Sequence, residues 1–334
     1  MNLSETILYN LVRPIAPDWF SKRYASRMPT IIQRLDSYND VVSKAGIHSC
    51  GPRRKGFGDL LKRVNDAGRM LGVVKCRDDF GAAYEAKQLW PHVLTVGAFT
   101  DFDGLNVNLD KFVARAKRNP WIDYWEVYNE NNGEWAYQAN TYIDKILPRF
   151  RAEGLRLAMF SCASGTPPLP SEDNGAAYAE IARACRYAIN GGFDTVLCLH
   201  EYVSEGGTIG RYKVLRDYLL SHGAMLPVVI SEWGYETNPG DTKLVDTVKA
   251  LDPLYMADEW VEGLALWTLG GGGWGDSNYE KAIPRLAEYI ATVPPVDDDP
   301  PPPPEILTVS VRIHSQYLPE LTAWCNERGG TVMR

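Results

Sequence analysis

The chain has 334 residues, of which 45% are hydrophobic, 23% charged and 11% aromatic, as is typical of a soluble globular protein. Its 35 basic and 42 acidic residues give a net charge of −7, which argues against nucleic acid and anionic membranes as partners. The sequence holds no run of about 18 apolar residues, which argues against a transmembrane helix. The N-terminus lacks the features of a signal peptide. We therefore expect a chain that is cytoplasmic, released by lysis, or secreted after removal of a signal.

The first 44 residues are interpreted as an extra helical layer, and a regular alternation of short apolar runs with longer amphipathic stretches follows. The runs are rich in β-branched and aromatic residues, which is typical of strands buried on both faces. They recur at intervals close to the ~30 residues that a strand, a helix and two loops need. The eight predicted strands are Gly46–Cys50, Gly72–Arg77, Val93–Gly97, Tyr124–Glu130, Arg156–Ser161, Thr195–Tyr202, Pro227–Glu232 and Gly263–Leu269.

The stretches between these strands place apolar residues on one stripe of a helix, as in residues 58–69, 176–189 and 242–251. Eight such strand–helix units predict a (β/α)₈ barrel, the TIM-barrel fold. A doubly wound open sheet is the alternative. The sequence after the first strand, GPRRKG, is not the Gly-rich phosphate loop that such a sheet normally carries, so the barrel is favoured.

The domain organisation follows from composition. Residues 1–293 form the predicted barrel domain, and residues 294–305 form a stiff Pro-rich linker of polyproline type. Residues 306–334 are a short C-terminal segment of unknown role, too small for a core of its own. The six cysteines are spread along the chain without a C-x-x-C pair, so we expect reduced structural thiols.

Two glutamates end predicted strands that lie across the barrel from each other. Strand four ends in Asn129-Glu130, and strand seven ends in Ser231-Glu232 and continues into Trp233. In barrel enzymes the reacting groups lie at the carboxyl ends of strands. Either glutamate alone could begin a solvated loop, but the matched pair favours two carboxylates that face a bound molecule.

The segments WEVYNENN and ISEWG, in the positions of strands four and seven, resemble the retaining glycoside hydrolases of clan A, most of all families 5 and 39. The resemblance covers roughly residues 45–290. It implies a retaining β-glycosidase in which Glu130 is the acid/base, Glu232 is the nucleophile and Asn129 binds the sugar 2-hydroxyl. The expected partner is therefore a β-linked polysaccharide or oligosaccharide.

The resemblance implies further substrate contacts. His200 and Tyr202 share one face of strand six, and the Tyr202 hydroxyl would orient the nucleophile. Arg77, at the end of strand two, would bind the nucleophile carboxylate, and Trp267 on strand eight would form an aromatic floor under the sugar. A core histidine at position 200 and a surface ion pair at Arg77 are the alternatives. The further aromatic candidates for sugar subsites are Trp135, Trp233 and Trp274.

Two other glutamates are assigned structural roles. Glu126 has the same parity as Glu130 and lies deeper in the barrel, where we expect it to pair with a base such as Lys75. Glu201, between His200 and Tyr202, should face the helices.

No cofactor and no metal are expected. The histidines form no H-E-x-x-H or i, i+4 pair, and the sequence has no G-x-S-x-G motif. The glycine run at 270–273 lacks the Lys and Ser/Thr of a P-loop. Two alternatives stay open: a phage-type hydrolase of cell-wall or capsule glycan, and a catalytically inactive carbohydrate-binding barrel. The sequence leaves the glycan, the linkage and the oligomeric state open.

Overall fold

A computed structural model describes residues 43–52, 54–102, 106–203, 209–270 and 275–294. Residues 1–42 of the expected helical layer lie outside these ranges. So do the Pro-rich linker beyond residue 294, the C-terminal segment, Trp274 and Cys325.

Eight parallel strands close into a barrel in the order in which they occur along the chain, with β8 paired to β1. The predicted TIM-barrel fold is therefore confirmed. The strands are β1 Ala45–Cys50, β2 Val73–Arg77, β3 Leu94–Ala98, β4 Tyr124–Glu126, β5 Leu157–Cys162, β6 Thr195–Tyr202, β7 Val228–Gly234 and β8 Val261–Leu269.

Helices follow the strands along the chain, and their buried apolar residues pack towards the barrel. The three stretches predicted to be helical correspond to α1, α7 and α9. The helices are α1 Phe57–Asp66, α2 Gly81–Leu89, α3 Leu109–Ala116, α4 Trp135–Thr141, α5 Leu147–Ala152, α6 Pro170–Asp173, α7 Ala176–Gly191, α8 Tyr212–Ser221, α9 Asp241–Met256 and α10 Ile283–Thr292. A π-helical turn, Tyr142–Ile146, joins α4 to α5.

The interior of the barrel changes from apolar to charged along the strands. The apolar layer is one buried cluster: Val73, Leu94, Val96, Tyr124, Ala158, Val196, Cys198, Val229 and Ala265. Side chains two residues apart on a strand share a face. The next inward positions on β2, β4 and β6 are therefore Lys75, Glu126 and His200, all buried. The charged layer thus lies towards the carboxyl ends, where a barrel binds its substrate.

Strand β4 ends four residues earlier than the sequence predicts. It pairs with β3 through Tyr124 and Trp125 and with β5 through Trp125 and Glu126. Glu130 has a φ of 52°, in the left-handed region, outside the extended backbone that is typical of a strand. Its backbone N–H still donates to the Ser161 carbonyl oxygen at 3.0 Å. Glu130 therefore belongs to the β4 loop rather than to the strand.

Strand β7 carries one extra residue at Ser231. On β6, Leu199 pairs with Ile230 and the next residue, His200, pairs with Glu232. On β8 the register shifts across the same point, between Ile230 and Trp233. Such a β-bulge interrupts the alternation of side chains between the two faces of a strand. It brings Glu232 into the barrel and leaves Trp233 on the outer face.

Two general expectations are tested by the described residues. Five of the six cysteines lie there, and all five are free and buried: Cys50, Cys76, Cys162, Cys185 and Cys198. Within the same part of the chain, no helix has both the length and the apolar character needed to cross a bilayer.

Candidate active site

Glu232 lies inside the barrel with a donor on each carboxylate oxygen. The Lys75 Nζ donates to Oε1 at 3.1 Å, and the Tyr202 hydroxyl donates to Oε2 at 2.6 Å. The His48 Nδ1 lies 3.8 Å from Oε1. Only 4% of the Glu232 side chain is exposed, so these contacts replace water as the surroundings of the carboxylate.

The surroundings of Glu232 keep it ionised. Burial by itself raises the pKa of the carboxyl, but the neighbouring His200 and Lys75 and the hydrogen bond from Tyr202 together outweigh burial. The pKa of Glu232 therefore lies well below its ordinary value. At neutral pH this side chain is a carboxylate held in a fixed orientation.

Glu130 occupies a different environment at the open end of the barrel, where 40% of its side chain is exposed. His200 connects it to Glu232. The His200 Nδ1 lies 2.9 Å from Glu130 Oε1 and 3.5 Å from Glu232 Oε2. One oxygen from each glutamate and a nitrogen of His200 all lie within 4.8 Å of one another. The structure therefore brings together the two glutamates that the sequence singled out.

Lys75 and Glu126 form a buried ion pair beneath this cluster. The Lys75 Nζ lies 2.7 Å from Glu126 Oε2, and both side chains are fully buried. This confirms the predicted pairing of Glu126 with Lys75. Burial lowers the pKa of Lys75, but Glu126 and Glu232 more than offset it and raise the pKa overall. Burial raises the pKa of Glu126, and Lys75 reverses that effect, so the pKa lies below its usual value.

The contact between Lys75 and Glu232 was not predicted from the sequence, because Lys75 lies short of the carboxyl end of β2. A signal for it was present. A lysine in a strand buried on both faces requires a carboxylate. Two carboxylates are in reach of Lys75 here, Glu126 and Glu232.

His48 is a second residue that the sequence analysis did not place in the site. It lies on β1 in register with Lys75 of β2 and is fully buried. Burial lowers the pKa of His48 well below its ordinary value, and the nearby Lys75 lowers it further, so the imidazole is neutral. Its ring meets the Trp267 ring edge-on, with centroids 4.7 Å apart.

Trp267 lies at the end of β8 and forms a small buried cluster with Tyr202 and Cys50. The peptide bond between Trp267 and Thr268 is cis. Because Tyr202 also donates to Glu232, this cluster places the indole beside the nucleophile candidate. The position is compatible with the floor expected under a sugar.

Asn129 and Arg77 lie near the mouth of the barrel with different surroundings. Asn129 is half-buried, and its Oδ1 is buried without a hydrogen-bond partner among the described residues, so this oxygen is available to accept from a ligand. Arg77 is buried, and its Nε donates to the Thr100 hydroxyl at 3.1 Å. Lys75, two residues earlier on the same face of β2, donates to Glu232.

The expected tryptophan subsites are not all at the mouth of the barrel. Trp233 is fully buried on the outer face of β7, where its Nε1 donates to the Tyr255 hydroxyl of α9 at 3.1 Å. The bulge at Ser231 explains this orientation, and the structure does not bring Trp233 to the glutamate pair. Trp135 is half-buried at the start of α4, just after the loop that carries Glu130.

Glu201 faces the helices, as predicted. Its carboxylate accepts from the backbone N–H groups of Tyr212 and Gly210 at 2.7 and 3.0 Å, and from the Tyr255 hydroxyl. Burial raises the pKa of this carboxyl, and the three donors oppose that rise. These contacts tie β6 to α8 and α9, which is a structural role.

Glu130, His200 and Glu232 also have the ligand types and proximity that a divalent cation could use. The surroundings favour another reading. Both oxygens of Glu232 already accept hydrogen bonds from Lys75 and Tyr202, and an added cation would lie close to the Lys75 ammonium. The described contacts of Glu232 therefore do not favour a cation at this cluster.

The class that the fold and the site define is a (β/α)₈ barrel with a pair of carboxylates at the carboxyl ends of its strands. No protein-family model and no curated protein matches the chain. Solved structures with a similar fold include a GH128 (subgroup II) endo-β-1,3-glucanase from Pseudomonas viridiflava, at 18% identity, with 76% of this chain and 99% of that chain covered and a TM-score of 0.45.

Two further structures are similar in fold. A β-mannanase from Thermomonospora fusca is 15% identical, over 76% of this chain and 89% of its own, with a TM-score of 0.44. A GH128 (subgroup III) curdlan-specific exo-β-1,3-glucanase from Blastomyces gilchristii, in complex with glucose, is 14% identical, over 72% of this chain and 98% of its own, with a TM-score of 0.44.

Proposed function

We propose that this protein is a retaining β-glycoside hydrolase that cleaves a β-linked polysaccharide or oligosaccharide by double displacement. The observation that carries the proposal is the pair of glutamates at the open end of the barrel. An oxygen of Glu130 lies within 4.8 Å of an oxygen of Glu232, with His200 between them. One member of the pair is half-exposed and the other is buried and ionised, which suits two different roles.

The separation of the carboxylates favours retention over inversion. Retaining enzymes hold their two carboxyl groups about 5–5.5 Å apart, whereas inverting enzymes leave about 6.5–9.5 Å for a water molecule. The approach of an oxygen of Glu130 to within 4.8 Å of an oxygen of Glu232 is nearer to the spacing of retaining enzymes than to that of inverting ones.

In the first displacement, Glu130 gives its proton to the leaving glycosidic oxygen while Glu232 attacks the anomeric carbon. The bond to the leaving group breaks as a bond to Glu232 Oε1 or Oε2 forms. The donors from Lys75 and Tyr202 fix the attacking carboxylate. Its burial removes the water shell that would otherwise compete with the sugar.

In the second displacement, Glu130 takes a proton from a water molecule that attacks the anomeric carbon, and Glu232 leaves as a carboxylate. A group with a low pKa is a good leaving group, so the surroundings that keep Glu232 ionised also favour this step. The free Oδ1 of Asn129 would accept a hydrogen bond from the sugar 2-hydroxyl, and Trp267 would stack against the ring.

The first test is release of reducing ends from a panel of β-glucans, mannan, xylan, chitosan and purified peptidoglycan. We expect hydrolysis of one of these by the wild type, with loss of activity in Glu232→Gln. Glu288→Gln is the matched control, since Glu288 is an exposed helix residue paired with Arg63. NMR of the first product formed should show the β-anomer, and the α-anomer would exclude the retaining mechanism.

Other outcomes of the same panel separate the alternatives. Turnover of peptidoglycan alone would identify a cell-wall hydrolase. Sugar binding that survives in Glu130→Gln and Glu232→Gln, with no turnover by a folded wild type, would exclude the proposed reaction and identify a carbohydrate-binding barrel.

A further inference from the structure

Lys75 lies between two carboxylates in the barrel interior. Its Nζ is 2.7 Å from Glu126 Oε2 and 3.1 Å from Glu232 Oε1, and its side chain is fully buried. Removing a buried charge from such a group leaves its partners uncompensated, which is strongly destabilising. One ammonium therefore balances two buried carboxylates.

The resemblance to clan A places the cation that holds the nucleophile at Arg77. In the structure the Arg77 Nε donates to the Thr100 hydroxyl at 3.1 Å. Lys75 has the same parity on β2 but lies one step deeper, and it donates to Glu232. The structure thus offers a cation at a position that the resemblance did not indicate.

We propose that Lys75 is the positioning residue of Glu232: its ammonium fixes Oε1 of the nucleophile, while Tyr202 fixes Oε2. This inference rests on the proposed function, since it assigns a role within that reaction. Glu126 is the second carboxylate in contact with the ammonium and anchors it beside Glu232.

The charges around Lys75 support this role. Although burial lowers its pKa, Glu126 and Glu232 raise it overall, so Lys75 stays protonated across the working range. The other titratable or charged groups around Glu232 belong to four strands and the β4 loop. They are His48 and Cys50 of β1, Arg77 of β2, Glu126 and Glu130 of β4 and its loop, and His200 and Tyr202 of β6.

The test is the pH dependence of kcat/KM in Lys75→Met. The acid limb of this profile reports the deprotonation of the essential carboxylate in the free enzyme. A positive charge at this distance lowers the pKa of a carboxylate by about 1–3 units. Removal of the Lys75 ammonium should therefore move the acid limb to higher pH by about 1–3 units and reduce kcat/KM most at low pH.

A second variant keeps the test decisive if Lys75→Met fails to fold. Lys75→Met combined with Glu126→Gln removes the ion pair as a neutral unit, and we again expect the acid limb to move upward. Glu126→Gln alone is the matched control. It retains the ammonium and removes a negative neighbour, so its acid limb should not move upward. Circular dichroism and thermal unfolding verify that each variant is folded.

An unchanged acid limb in a folded variant that lacks Lys75 would overturn the inference, whatever its loss of activity. A titration of the Glu232 carboxyl by ¹³C NMR, assigned with Glu232→Gln, gives a readout that needs no substrate. If the wild type hydrolyses no glycan and this titration moves in Lys75→Met, the proposed function fails and the control of Glu232 by Lys75 stands. If the wild type is active and neither readout moves, only the role of Lys75 fails.

Discussion

The two glutamates of the site are the same amino acid in opposite settings. Glu130 lies on a loop in a left-handed backbone conformation, with 40% of its side chain exposed. Glu232 lies on a strand, with 4% exposed and a donor on each oxygen. Exposure lets one group exchange protons with water, while fixed donors hold the other as a carboxylate. Position within the barrel, rather than residue type, therefore divides the chemistry between them.

The largest effect is expected at the buried member of the pair. Glu232→Gln keeps the shape and removes the attacking oxygen, so kcat should fall by more than about 10⁴-fold on every substrate. Initial rates of reducing-end release measure this. Residual activity above about one per cent would mean that Glu232 is not the nucleophile.

Glu130→Gln should have an effect that depends on the leaving group. Loss of a general acid costs about 10²–10⁴-fold for a glycan, whose leaving oxygen needs a proton. Aryl glycosides with acidic phenols leave without one, so their first displacement should slow far less. The comparison uses pre-steady-state release of the phenol against glycan hydrolysis, and equal losses on both substrates would contradict the assignment.

Tyr202→Phe removes one of the two hydrogen-bond donors that hold the Glu232 carboxylate in place. A hydrogen bond to a charged group contributes about 1.5–3 kcal/mol, which corresponds to a fall of about 10–100-fold in kcat/KM. The Tyr202 hydrogen bond lowers the pKa of Glu232, so the acid limb should also move upward. A pH profile identical to that of the wild type would show that the hydroxyl does not act on Glu232.

The smallest effect is expected on the pH dependence of the free energy of unfolding. The folded-state pKa of Glu232 lies below its unfolded value of 4.5, so its ionisation stabilises the fold above that pH. This contribution is lost as the pH falls through the folded-state pKa. Urea unfolding from pH 6 to pH 3, compared with Glu232→Gln, should show the wild type losing more stability. If the free energy of unfolding depended on pH in the same way in both proteins, the lowered pKa of Glu232 would be contradicted.

Much of the fold could be predicted from the sequence because each strand is a short apolar run buried on both faces. The glutamate pair could also be found, since strand ends define the mouth of a barrel. The pairing of Lys75 with Glu126 was predicted, but the contacts of Lys75 and His48 with Glu232 were missed because both residues lie deeper than the strand ends. Their proximity to Glu232 depends on how the strands are staggered around the barrel.

Trp233 and the end of β4 show a second limit to what the sequence can predict. Strict alternation along β7 from Val229 would direct Trp233 inward and Glu232 outward, yet the bulge at Ser231 reverses both. Likewise, the apolar character of the segment continues past Glu126, although the hydrogen-bonded strand ends there. Local composition predicts that a segment is a strand, but it does not predict an extra residue within it.

The bulge at Ser231 gives β7 one residue more than regular pairing with β6 requires. Deleting Ser231 would restore regular pairing and still leave Glu232 facing the interior and Trp233 facing outward, because both residues would then alternate normally after Ile230. Substitutions along this strand therefore test its side chains, whereas deletion of Ser231 would test whether the bulge itself matters to the site. The bulge absorbs an inserted residue, so the strand is longer by one while its reactive carboxylate keeps its direction.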